Sequence, residues 1–226
     1  MTVLEEIALR QSTMYTCIVV GLVFSALYGA AFCYRGPSKL KTLIKAVPLL
    51  AFAVAGFANF AAPLVVGGLV LSAVGDIALS RDGEKPFLVG LVAFATAHLL
   101  YIVHFFQIGD LSLVSPIAAL VIVAFAVSTE FWLIPHTEKM RAPVRVYVLL
   151  ICGMGLSALS LDGRDIAVLG AFAFMASDTI LSIQLFRMKE TSGWHVPASV
   201  ALWGLYALGQ CAILVGAGFA RPLFQI

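Results

Sequence analysis

Apolar residues gather into long stretches broken by short polar or charged segments. They run from Met14 to Tyr34, Ala46 to Phe60, Pro63 to Leu79 and Phe87 to Phe106, then from Leu113 to Trp132, Pro143 to Leu161, Ile166 to Phe186 and His195 to Phe219. Runs of this length and polarity predict membrane-spanning helices. The stretch from Ala46 to Leu79 reads either as one span or as two. As one helix it would reach ~50 Å at ~1.5 Å per residue, well beyond a ~30 Å hydrocarbon core. Asn59 and Pro63 supply a turn between two helices. The expected fold is therefore an all-α membrane protein with eight transmembrane helices in two sets of four.

Composition agrees, with 62% hydrophobic and 12% charged residues and a mean hydropathy of +1.03. An ordinary soluble domain is about a quarter charged. Charge placement tests the span count separately. With eight spans, one side collects Arg35, Lys39, Lys41, Lys45, Arg81, Lys85, Lys139, Arg141, Arg145, Arg187 and Lys189, leaving Arg10, Arg164 and Arg221 opposite, eleven against three. Merging the second and third spans divides the same residues eight against six, which erases the positive-inside bias. Eight spans put both termini on the non-cytoplasmic side.

The formal net charge of +2 thus reflects loop anchors. No basic run is dense enough to track a nucleic-acid backbone, and lipid headgroups are the expected neighbours. No protein partner is inferable. Cys17, Cys33, Cys152 and Cys211 are scattered singly and read as small packing residues. Glu5 and Glu6 precede Arg10, unlike the basic start of a signal peptide, so the first span is expected to be retained. The whole chain, 1–226, is expected to form a single integral membrane domain with no soluble domain on either side.

Two acids interrupt this pattern in the same frame, Gly75-Asp76-Ile77-Ala78-Leu79-Ser80 and Ser177-Asp178-Thr179-Ile180-Leu181-Ser182. A carboxylate in hydrocarbon is costly and marks a partner, a wet cavity or a chemical task. Each falls in the third helix of its set, which predicts two parallel pseudo-repeats, 14–106 and 113–219, converging on one cavity. Ser72, Asp76 and Ser80 share a helix face, as do Asp178 and Ser182, with Ser177 and Thr179 flanking the acid. These hydroxyls are expected to bond the carboxylates. His98 and Tyr101 in the fourth span, and Trp203, Tyr206 and Gln210 in the eighth, are candidate walls. Lys45 and Arg145 open the second and sixth spans and suit a lipid phosphate, with Tyr147 deeper.

The chain lacks G-x-S-x-G, H-E-x-x-H, a Walker loop and G-x-G-x-x-G. Paired-carboxylate chemistry remains. A proton-coupled transporter is the main alternative, since parallel repeats with midmembrane acids also describe carriers. A metal hydrolase using Asp76, Asp178 and His98, and a non-catalytic scaffold tied by its acids, are the others.

The order Gly75-Asp76-x-x-Leu79, Gly90-Leu91-x-x-Phe94-x-x-x-His98-Leu99-x-Tyr101, Phe174-x-x-Ser177-Asp178-x-x-Leu181 and Tyr206-Ala207-Leu208-x-Gln210 resembles the YhhN-type lysoplasmalogenase family. One departure is Lys45-Ala46-Val47-Pro48, where similar proteins often carry Lys-Pro-x-Pro. The resemblance implies an integral membrane hydrolase that cleaves the vinyl ether of lysoplasmalogens to a fatty aldehyde and glycerophosphocholine or glycerophosphoethanolamine, with no cofactor and no metal. A neutral acid must protonate the alkene. Burial and a neighbouring carboxylate both disfavour a second charge, so one Asp can keep a proton while the other stays ionised. The assignment chosen is Asp178 as acid and Asp76 as charged partner. His98 would position water or tune a carboxylate, Tyr147 or Tyr206 would donate to the ether oxygen, and Lys45 would hold the phosphate. Ser72, Tyr101, Ser177 and Gln210 complete the expected contacts with the lysophospholipid. Short loops and small-residue spans suggest a bacterial inner membrane, or the endoplasmic reticulum in a eukaryote.

Overall fold

The computed structural model describes residues 2–189 and 191–223, and every regular element among them is helical. The long helices are α1 (Val3–Ala31), α2 (Lys39–Ala58), α3 (Pro63–Leu79), α4 (Glu84–Ile108), α5 (Pro116–Trp132), α6 (Arg141–Ala158), α7 (Asp165–Phe186) and α8 (His195–Ala217). Short 3-10 turns at Leu111–Leu113, Ile134–His136 and Glu138–Met140 lie in the connections.

Local chemistry sets the helix starts. α1 begins well before Met14 because Thr2 and Glu5 form a reciprocal capping box. Ser38 caps α2 and Ser115 caps α5 through their hydroxyls. Pro63, Pro86, Pro116, Pro143 and Pro197 all sit in first turns, where the missing N–H has no intrahelical acceptor to lose. Pro48 is the exception: it lies inside α2 and leaves the Ile44 carbonyl without its usual donor.

α2 and α3 are separate helices, joined by a tight turn in which Phe60 adopts a left-handed φ of 57°. The Ala61 N–H returns to the Gly56 carbonyl at 2.8 Å, and the Ala62 N–H reaches Gly218 at the end of α8 at 2.6 Å. The Arg10 guanidinium covers the Phe60 ring at 4.3 Å and donates to the Ala58 carbonyl. The start of α1, the α2–α3 turn and the end of α8 therefore share one face.

Among the described residues seven helical segments are long and apolar enough to cross a membrane, α5 being counted with the turn that continues it to His136. The eighth, α3, has 17 residues and a length of ~25 Å. Large apolar side chains such as Val19, Val23, Ile117, Leu120, Phe131 and Leu149 are exposed on the outside, as lipid-facing helices require. This is an integral membrane protein.

The centre of the bundle is α8, which packs against α1, α2, α3 and α7. Its crossing with α7 depends on two glycines. A Cβ on Gly170 would lie 2.7 Å from the Gly209 carbonyl oxygen, and one on Gly209 would lie 2.8 Å from the Gly170 oxygen. On the face shared by the termini, Arg164 donates to the carbonyls of Gly216, Phe219 and Ala220, and His104 bonds Ala217 at 2.8 Å. These bonds satisfy the carbonyls at the end of α8.

Gly170→Val should force α7 and α8 apart and cost at least about 2 kcal/mol. A thermal unfolding midpoint in detergent equal to that of the parent would contradict this close crossing.

Candidate active site

The second and third helices of each set present their polar groups at the same spacing. Lys45 on α2 meets Asp76 on α3, thirty-one positions later, with Nζ 3.0 Å from Oδ1. Tyr147 on α6 donates to Oδ2 of Asp178 on α7, also thirty-one positions later. Each aspartate also has a neighbour from the other half of the chain. Tyr206 on α8 donates to Asp76 Oδ2 at 2.7 Å, while His98 Nε2 on α4 lies 3.9 Å from Asp178 Oδ2, beyond hydrogen bonding.

Both carboxyls are buried, Asp76 at 1% and Asp178 at 8% exposure, and both line one cavity of about 310 Å³. The cavity opens toward the face where α1 ends and α2 and α8 begin, with Cys33 and Lys41 near its mouth. Leu79, Leu181, Leu185 and Leu202 form apolar wall, and Ser177 lies beside Asp178. Phe94, Phe174 and Tyr206 pack edge to face at centroid distances of 5.3–6.2 Å and close the inner end.

Other candidates lie behind this wall. Tyr101 donates to Gln210 Oε1 at 2.7 Å, and Gln210 Nε2 donates to Ser72 Oγ at 2.8 Å, a fully buried chain that bolts α3, α4 and α8 together. Ser72, Tyr101 and Gln210 do not line the cavity. His98 is fully buried with neither ring nitrogen bonded, held edge-on to Tyr147 and tilted against Phe174. Among the described residues no group of three or more His, Cys, Asp or Glu is arranged to hold a metal, so Asp76, Asp178 and His98 do not form the ligand set considered from sequence.

Two expectations are corrected. The Ser80 and Ser182 hydroxyls bond the backbone carbonyls of Asp76 and Asp178, at 2.7 and 2.8 Å, and not the carboxylates. That is the usual preference of a helical serine for the carbonyl one turn back. Arg145 is not the counterpart of Lys45. It lies outside the cavity in a bidentate pair with Glu130, while Tyr147, two residues further on, takes the inward position. Sequence reasoning missed Tyr28, whose ring packs tilted against Trp203 at 4.2 Å and lines the cavity, and Gln184, which donates to Ser199 on the opposite wall. Neither stands out in an apolar run, because only the packing of α1 and α7 against α8 turns them inward.

A polytopic helical membrane protein with two buried carboxyls on one cavity is the class that these features define. A profile of the YhhN family matches residues 40–217, and the chain belongs to that family. Lysoplasmalogenases of Mycobacterium bovis and Mycobacterium tuberculosis are each 31% identical over 166 residues, covering 70% of this chain and 62% of theirs. Lysoplasmalogenase TMEM86B of Homo sapiens is 34% identical over 151 residues, 64% of this chain and 62% of that protein. The match thus spans about three fifths of the length of these relatives. No solved structure matches the chain.

Lys45→Met should leave Asp76 buried without its cation and cost about 3–5 kcal/mol in stability. Adding Asp76→Asn should recover most of that loss. Equal melting temperatures for parent and Lys45→Met would show that the pair contributes nothing.

Proposed function

We propose that this protein is a lysoplasmalogenase-type hydrolase that uses Asp76 and Asp178 as an unequal acid pair. The observation that carries this reading is the difference between two carboxyls on one cavity: Asp76 has an ammonium partner, and Asp178 has none among its described contacts. A site of this kind holds one proton more readily than none or two, and Asp178 is its place.

Vinyl ether hydrolysis uses both states. Asp178 passes its proton to the outer alkene carbon, and positive charge develops on the carbon bound to the ether oxygen. Water adds to that carbon while the Asp76 carboxylate faces the cation and takes a proton from the water, as paired carboxyls do at oxocarbenium-like centres. The hemiacetal then collapses to an aldehyde and a glycerophospho-headgroup, with Asp178 taking the hydroxyl proton as Asp76 returns its own to the glycerol oxygen. One water is consumed, and the acid pair returns to its starting state.

Lys45 has a second part. Its side chain is 15% exposed on the cavity wall, with Lys41 nearer the mouth. A substrate phosphate draws Lys45 away from Asp76, which leaves the carboxylate free to face the developing cation. Tyr147 and Tyr206 orient the two acids, and Ser177 supports the bound lipid. His98, Ser72, Tyr101 and Gln210 hold the inner wall behind the reacting atoms. The packed inner wall favours this reading over a transporter, which needs a path to the opposite side.

The same reading includes topology. Lys45 and Tyr147, Asp76 and Asp178, and Ser80 and Ser182 are all related by one offset of 102 positions. We take this as two parallel four-helix repeats, with the basic loops and cavity mouth cytoplasmic and both termini opposite. A bacterial inner membrane suits the short loops, and the substrate is the lysolipid of the facing leaflet.

Purified Asp178→Asn and Asp76→Asn proteins that retain the parent's melting temperature should each release aldehyde from a vinyl-ether lysolipid at least about a hundredfold more slowly. Parental turnover in both would end the proposal.

A further inference from the structure

Phe94, Phe174 and Tyr206 pack edge to face across the inner end of the cavity, so the chain of a lipid with its headgroup at the mouth finds room to the side. On the outer surface α1 and α8 leave a groove of about 470 Å³, opened by Gly29 and Gly204 and lined by Leu22, Ala207 and Leu208. Its floor is Trp203, which also lines the cavity, so one indole separates the two spaces. That indole is held by the Tyr28 ring and by donation from Nε1 to the Ser25 carbonyl at 2.8 Å.

A second observation points to an amphiphilic occupant. Ser25 lines the same groove at 8% exposure, and its Oγ has no hydrogen-bond partner. A buried hydroxyl without a partner is costly, and a plain hydrocarbon cannot satisfy it. The glycerol end of a single-chain lipid can.

We propose that the α1–α8 groove is a lateral entry site for a single-chain lysophospholipid, with Ser25 meeting its glycerol end and Trp203 acting as the gate into the cavity. The identity of the occupant rests on the hydrolase reading above. The chain lies along Gly204, Ala207 and Leu208, and rotation of the Trp203 ring away from Tyr28 joins groove to cavity.

Gly204 provides the test, because a Cβ there meets nothing within 4 Å. Gly204→Leu fills the groove without touching the bundle and should keep the parental melting temperature. Gly204→Ala provides a milder version. In a Trp132→Phe, Trp194→Phe background, Trp203 is the sole tryptophan. Its fluorescence should be quenched saturably by a lysophosphatidylcholine brominated in its chain. Half-saturation should weaken at least about tenfold in Gly204→Leu, less in Gly204→Ala, and roughly three- to tenfold in Ser25→Ala.

In the otherwise native protein, Gly204→Leu should raise KM for a long-chain vinyl-ether lysolipid in step, with kcat/KM for a short-chain analogue unchanged. Quenching that never saturates, or is equal in parent and Gly204→Leu, would overturn the proposal. So would the same Gly204-dependent saturation with a brominated diacyl lipid, which would mark an ordinary bilayer-lipid site. Saturable, Gly204-dependent quenching by the lysolipid without aldehyde release in the parent would uphold the groove and refute the hydrolase reading.

Discussion

A single ammonium group shared unequally between two buried acids is the constraint around which this bundle is arranged. Lys45 reaches Asp76 from the first turns of α2, and no cation reaches Asp178 from α6, where Tyr147 holds the corresponding position. Two ionised carboxylates on one low-dielectric cavity would repel strongly. One ion pair and one hydroxyl donor make the two sides of the cavity unlike, and the proposed reaction uses them as a charged side and a neutral side. The other packing around the site preserves that difference. Tyr206 fixes the second oxygen of Asp76, and the aromatic cluster of Phe94, Phe174 and Tyr206 separates the pair from the Tyr101–Gln210–Ser72 chain.

That difference matches the electronic demand of a vinyl ether. Protonation takes place on the carbon nearer the tail, and cationic charge appears next to the ether oxygen, nearer the headgroup. A neutral acid on one side and a carboxylate on the other suit those two atoms in the proposed reaction. The lysine that keeps Asp76 ionised before substrate arrives would oppose the cation if it stayed in place. In the proposed reaction the lipid phosphate would solve this by drawing the lysine toward the mouth, so that the non-reacting headgroup assists the reacting bond.

Much of the helical layout was legible from hydropathy, because membrane spans depend on long one-dimensional runs. The break between α2 and α3 was legible for the same reason: an uninterrupted helix would have been too long, and it would have scattered the basic loops. The capping box at Thr2 and Glu5, which extends α1 to Val3, was a local signal hidden by the polar character of the segment. Asp76 and Asp178 stood out by cost alone. Lys45, Tyr147 and Tyr206 were legible as candidates but not as partners of the acids, since a lysine in the first turns of a helix or a tyrosine within a span has several ordinary explanations.

Arg145 shows how little charge alone conveys about which side chain faces inward. Counting cations selected Arg145 as the match to Lys45, thirty-three residues before its aspartate, whereas helical register selects the residue thirty-one before, Tyr147. Arg145 lies two residues before the inward position and turns outward, where Glu130 on the neighbouring α5 pairs with it through both oxygens. The phenol at the inward position brings a proton donor without a charge. If the two halves descend from one repeat, replacing a cation with a phenol at this one inward position is sufficient to turn two equivalent acids into an acid and a base. The function proposed here would then have been reached by breaking symmetry at the partner of the carboxylate, with the carboxylate itself left in place.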